Sequence, residues 1–198
     1  EVDCLFGVPQ PEKFHPEVDT GVHVMMAMDA AARLSEGAAN VVFAVLVHDL
    51  GKGLTDKRYW PSHLRHEAAG VPLVDGVCSR MKVPRGVHDL ARKVCLKHLR
   101  CHRILEARPV TVLRLLEQLD VFRHPKLLPD FVAACEADYR GRKGLQDRPY
   151  PQGEFLQQAY AVAAKIRARD LQMQDASGPQ VGEQLRRARV EVIKKLMA

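Results

Sequence analysis

A histidine and an aspartate stand side by side at His48-Asp49, closing an apolar run from Ala38 to Val47, and Leu50-Gly51-Lys52-Gly53 follows directly. Imidazole is a borderline ligand and carboxylate a hard one, and together they suit a divalent transition metal. Holding both at the end of a buried helix is costly unless something binds or pairs them. The bland reading of the pair is a buried hydrogen-bonded couple with a capping role; the sharper one is a metal-dependent hydrolase.

Other groups of the same chemistry recur along the chain, which has nine histidines. His23, His63, His66, His98, His102 and Asp120 fall within or at the ends of helical stretches, so separate helices can bring several of them to one pocket between facing helices. Four ligands make a mononuclear centre with positions left open, and His23, His48, Asp49 and Asp120 supply four. A divalent ion held there turns water into a nucleophile near neutral pH. Lys52, three residues after Asp49, offsets charge developing on a phosphate. His66 and His98 have open roles: a second metal, a phosphate contact, or the acid that protonates the leaving oxygen. His15, His88 and His124 read as surface or hydrogen-bonded histidines.

The elements that must position these groups read as successive helices. Asp19 or Thr20 caps a helix through Leu34, and a second runs from Asn40 to about Leu50, apolar on nearly all sides and therefore central. Gly51 to Pro61 reads as a loop. A third helix covers His63 to Met81, with Pro72 expected to kink or split it. Pro84 and Pro109 open the fourth and fifth, and Pro129 precedes a sixth from Phe131 to Tyr139. After a polar stretch, Gly141 to Gly153, helices follow at Phe155 to Arg169 and Val181 to Leu196. No alternating strand pattern and no internal repeat interrupts this series, so the expectation is all-α.

Composition narrows the function classes. With 198 residues and 46% apolar content the chain can bury a sizeable core, and global disorder is excluded. The net charge of +6 suits a phosphate-bearing partner and equally a generic basic protein. Cysteines at 4, 78, 95, 101 and 135 are odd in number and form no C-x-x-C pair, so they read as reduced thiols of a cytoplasmic protein. No stretch approaches the roughly 18 apolar residues of a membrane span.

The ordered set His23, His48-Asp49 and Asp120 resembles the HD superfamily of metal-dependent phosphohydrolases. The resemblance implies metal binding by the first His, the His-Asp pair and the last Asp, and His66 and His98 match two further histidines of many members. A closer resemblance covers nearly the whole chain. Leu5-Phe6-Gly7-Val8-Pro9 and His15-Pro16-Glu17-Val18-Asp19-Thr20-Gly21-Val22-His23 look like the join of neck and HD domain in bacterial tRNA nucleotidyltransferases of the multifunctional CCA type. His48 to Thr55, Trp60-Pro61, Glu136-Ala137-Asp138-Tyr139-Arg140-Gly141-Arg142 and Tyr150-Pro151-Gln152-Gly153 follow in the same order.

That resemblance implies an HD helical bundle with a C-terminal helical extension: residues 1–18 the end of a neck, 19–123 the HD domain, 124–198 a tRNA-contacting tail. It implies hydrolysis of 2′,3′-cyclic phosphates, 2′-nucleotides and phosphate esters, with Ni²⁺ favouring the phosphatase reaction, in the service of tRNA 3′-end maturation and repair. Partners are then the tRNA acceptor end and the small nucleotides themselves, and a second copy of the bundle is an open option. Arg140, Arg142, Lys143 and Arg148 are the candidate phosphate contacts of the tail, with a charged surface loop as the equal alternative. Nucleotidyl transfer from CTP and ATP needs a Gly-Ser turn and a D-x-D pair holding Mg²⁺, and this sequence has neither. Together with the non-methionine start, this makes the expectation a C-terminal piece without nucleotide addition. Two competing readings stand beside it: a non-catalytic helical body that positions tRNA, and a stand-alone HD nucleotidase.

Overall fold

The computed structural model describes residues 1–171 and 177–198. Asp19 caps α1 (Thr20–Leu34): its carboxylate accepts the Val22 backbone N–H at 2.9 Å and, from across the entry turn, that of Gly7 at 2.6 Å. α2 (Ala39–Val47) buries Val41, Ala44, Val45 and Val47 and packs against α1, α4 and α6, as a helix apolar on nearly all sides must. The chain then tightens into 3₁₀ turns at Leu50–Leu54 and Lys57–Tyr59, where the sequence suggests only a loop.

α3 (His66–Arg80) runs through Pro72 without being split by it, and α4 (Arg85–His102) packs on both α2 and α3. After α5 (Pro109–Gln118), α6 (Leu127–Arg140) begins two residues before Pro129, which costs little in a first turn whose N–H groups have no helical partner anyway. α7 (Pro151–Ala164) starts earlier than its apolar pattern, at a proline suited to the first helical position. α8 (Gly178–Leu196) lies on α5 and α7. The only β pairing among the described residues is an isolated bridge between Pro9 and Asp19, so the fold is all-α.

Two glycines set distances that matter for the site. A Cβ at Gly51 would stand 2.0 Å from the His66 carbonyl oxygen, so only glycine lets the turn after Asp49 lie against the start of α3. A Cβ at Gly141 would stand 2.3 Å from Ala27 Cα, so glycine brings the end of α6 onto α1. α6, beyond the expected 123/124 boundary, thus packs against α1, α2 and α4 as part of the same bundle.

Candidate metal centre

Three histidines are oriented in the same way by the backbone. The Nδ1–H of His48 donates to the Val45 carbonyl at 2.7 Å, that of His66 to His63 at 2.8 Å, and that of His98 to Val94 at 3.0 Å and Cys95 at 3.2 Å. A carbonyl only accepts, so each Nδ1 carries a proton, and each ring, when neutral, presents a lone pair at Nε2. All three Nε2 atoms face one carboxylate: Asp49 lies 3.1 Å from His48, 3.3 Å from His66 and 3.7 Å from His98. His48 Nε2, His66 Nε2 and Asp49 Oδ1 are buried and have no hydrogen-bond partner. Lone pairs aimed at a carboxylate repel it, and a cation among them removes the conflict. Backbone-anchored imidazoles are also the usual support of metal-ligating histidines.

The electrostatics agree with that demand for positive charge. Burial works against a charged His48, but Asp49 and Asp138 beside it prevail and raise its pKa. Burial holds His98 well below the ordinary histidine value and keeps it neutral, as a ligand must be. Burial alone would raise the Asp49 pKa, yet His48 and Lys52 draw it well below the usual carboxylate range. Lys52 Nζ sits 2.6 Å from Asp49 Oδ2 and also donates to the Gln10 side chain.

A second carboxylate, Asp138 of α6, closes the other side. Its Oδ1 is 3.0 Å from His23 Nε2 and 3.8 Å from His48 Nε2, while its Oδ2 is 2.6 Å from His102 Nε2. The Arg142 guanidinium lies 3.6 Å away. Burial opposes its charge, but His102, Arg142 and His48 hold the Asp138 pKa well below the usual range. His102 is fixed in turn by Tyr150, whose hydroxyl is 2.9 Å from Nδ1. Ligand atoms of His23, His48 and Asp49, of His48, His98 and Asp138, and of Asp49, His66 and His98 cluster tightly enough to share an ion.

His23, His48, Asp49, Lys52, His66 and His98 therefore converge as the sequence suggests. Asp120 does not, and this corrects the expected fourth ligand. α5 has ended at Gln118, and Asp120 takes a left-handed backbone conformation (φ 60°) in the turn that follows. Its carboxylate meets Arg123 at 2.7 Å and His124 at 3.6 Å on the surface. The carboxylate that does lie beside His23 and His48 is Asp138. Among the candidate phosphate contacts, Lys143 and Arg148 are exposed. Arg140 is paired with Glu136 at 2.9 Å, and Arg142 is turned inward to Asp138 and over the Tyr139 ring, so neither is a free surface cation.

The groups that sequence reasoning missed are Asp138, Tyr150 and Glu17, while His102 stands among the helix-borne histidines without a role of its own. Phe131, Ala134, Cys135 and Asp138 share helical spacing, which puts a carboxylate on the buried face of α6. That spacing was the available signal for Asp138.

The HD domain family matches residues 20–124. The Multifunctional CCA protein of Alkalilimnicola ehrlichii is 50% identical over 196 residues, which is 99% of this chain and 47% of that protein. The Multifunctional CCA protein of Thioalkalivibrio sulfidiphilus is 50% identical over 198 residues, 100% of this chain and 48% of that protein. That of Xanthomonas euvesicatoria pv. vesicatoria is 49% identical over 193 residues, 98% of this chain and 47% of that protein. The chain thus spans about half the length of the curated relatives it matches. No solved structure matches it.

Proposed function

The chain belongs to the HD domain family, and from that premise we propose that it is a divalent-metal phosphohydrolase. On this reading it acts on 2′,3′-cyclic phosphates, 2′-nucleotides and related phosphate esters as one half of a tRNA 3′-end maturation and repair protein. The observation that carries the reading is the convergence of three backbone-anchored Nε2 atoms, from His48, His66 and His98, on the buried Asp49 carboxylate. The relatives' name supports the tRNA connection. Nucleotide addition is assigned to the part of such proteins that this chain does not span.

His23, His48, Asp49, His66, His98 and Asp138 are the proposed ligands, with Asp138 in place of Asp120. When bound, the ion supplies positive charge to a phosphoryl oxygen and makes water acidic near neutral pH. Lys52 keeps Asp49 ionised and oriented and is the cation nearest to a phosphate held there. His66 and His98 serve as ligands on this reading, because their Nδ1 protons are committed to carbonyls and only the Nε2 lone pair is left. Burial of His23, His48 and His98 excludes bulk water from one wall of the site. Lys143 and Arg148 are the remaining exposed candidates for contact with the tRNA backbone.

Hydrolysis of 2′,3′-cAMP by this chain, metal-free and then with Ni²⁺, Mg²⁺, Mn²⁺ or Co²⁺, tests the reading beside Asp49→Ala. Metal-dependent turnover that disappears in the variant is the expected result. A folded wild-type protein with no turnover under any metal would overturn the assignment and leave the tRNA-positioning body as the better account.

A further inference from the structure

Glu17 lies outside the stretch matched by the HD family, in a segment that reads as linker. Its side chain is nevertheless buried at 2% exposure, and one carboxylate oxygen is hydrogen-bonded to His15 and lies beside His23 Nδ1, which has no other polar atom to satisfy it. Oε1 is 2.9 Å from His23 Nδ1 and 3.0 Å from His15 Nδ1. The other oxygen, Oε2, accepts the Lys143 backbone N–H at 3.1 Å. Burial would raise the Glu17 pKa, but the two histidines reverse this and keep it ionised.

The backbone is bent to put it there. Val18, a β-branched residue, holds a left-handed conformation (φ 61°). The turn is tied by Val18 N–H to the His15 carbonyl at 2.8 Å and by Gln10 N–H to the Val18 carbonyl at 2.6 Å. A strained valine at this point marks a geometry that the surroundings impose. What it achieves is a carboxylate on the far side of His23 from Asp138.

Resting on the metal-site reading above, we propose that Glu17 is a positioning residue that fixes the His23 ring through Nδ1 and so aims Nε2 at the metal beside Asp138. An imidazole between two carboxylates has two nitrogens to satisfy. With Nε2 and Asp138 both given to an ion, the ring proton resides on Nδ1, where Glu17 receives it. Carboxylate–histidine–metal arrangements of this kind set the tautomer and raise ligand basicity. The segment before the family match therefore belongs to the centre, and His15 and the Lys143 amide hold Glu17 in turn.

The test is a Co²⁺ titration of wild type, Glu17→Gln and Asp49→Ala, followed by the visible ligand-field bands, with circular dichroism to establish folding. Glu17→Gln is expected to bind Co²⁺ about 10- to 100-fold more weakly, with shifted bands. Glu17→Asp, which keeps the charge but withdraws it from Nδ1, is expected to fall between it and wild type. A folded Glu17→Gln with wild-type affinity and bands, while Asp49→Ala loses binding, overturns the role of Glu17 alone. Wild type that takes up no Co²⁺ overturns the metal reading and this inference with it. If Glu17→Gln does not fold, Glu17→Asp decides: weaker binding supports the proposal, and unchanged binding overturns it.

Discussion

Two aspartates of this chain have the same kinds of neighbour and opposite prospects. Asp138 meets His23, His102 and Arg142; Asp120 meets His124 and Arg123. The Asp138 side chain is 3% exposed and that of Asp120 28%, with Arg123 and His124 more open still. In the turn, water satisfies whatever the ion pairs leave over, and such pairs add little stability. In the bundle nothing replaces water, so every unpaired nitrogen and oxygen persists as a demand for a ligand. A metal centre is thus marked by buried ligand atoms left without partners, here Asp49 Oδ1, His48 Nε2 and His66 Nε2 beside Asp138, which residue type alone does not reveal.

The sharpest way to break this comparison is Asp138→Ala. It leaves His23, His102 and Arg142 without their shared counter-charge, and losing one partner of a buried ionic group costs about 3–5 kcal/mol. Urea unfolding of the metal-free protein measures that loss. The same experiment with saturating Ni²⁺ measures the added stability that binding to the folded state confers, and this increment is expected to vanish in the variant. A full Ni²⁺ increment in Asp138→Ala would put Asp138 on the same footing as Asp120.

Much of the bundle was legible because its signals are local. Asp19, Pro84, Pro109 and the apolar α2 announce helix starts and the central helix through capping and periodicity. His48-Asp49, His66 and His98 were legible because type and placement together restrict their use. Asp120 misled because one residue of left-handed backbone after α5 turns the side chain out, and aspartate tolerates that conformation well enough that its presence signals nothing. Asp138 sits where the sequence also carries Arg140, Arg142 and Lys143, and those cations drew attention to the surface. Glu17 depends on a contact across the fold with Lys143 and on a strained Val18, neither of which a single sequence encodes locally.

A smaller effect sharpens the buried side of the comparison. Burial lowers the pKa of His15 from an ordinary 6.5 to about 4, with the Glu17 hydrogen bond only partly offsetting this. Below pH 6.5 the unfolded chain takes up a proton that the folded protein refuses until about pH 4, so stability falls with pH across that window. The slope from this one group reaches at most about 1.4 kcal/mol per pH unit. His15→Asn, whose amide preserves a donor toward Glu17, should flatten the urea-unfolding profile of the metal-free protein between those pH values. The profile should keep a residual slope from His98, which is also held low by burial. An unchanged profile would mean that His15 is hydrated in the folded state and that the enclosure around Glu17 is looser than its contacts indicate.

The smallest expected effect is the one that isolates burial as the cause. Asp120→Ala removes a carboxylate that the family pattern designates and that the fold places in solvent beside Arg123 and His124. Ni²⁺ affinity and hydrolysis should match wild type, and any shift in melting temperature should shrink as salt screens the exposed charges. The contrast with Asp138→Ala then rests on location, because both substitutions delete the same group from an aspartate–histidine–arginine set. If Asp120→Ala instead lost Ni²⁺, the turn after α5 would have to fold inward when metal binds. The metal-bound centre would then include a ligand that its present backbone conformation points away from it.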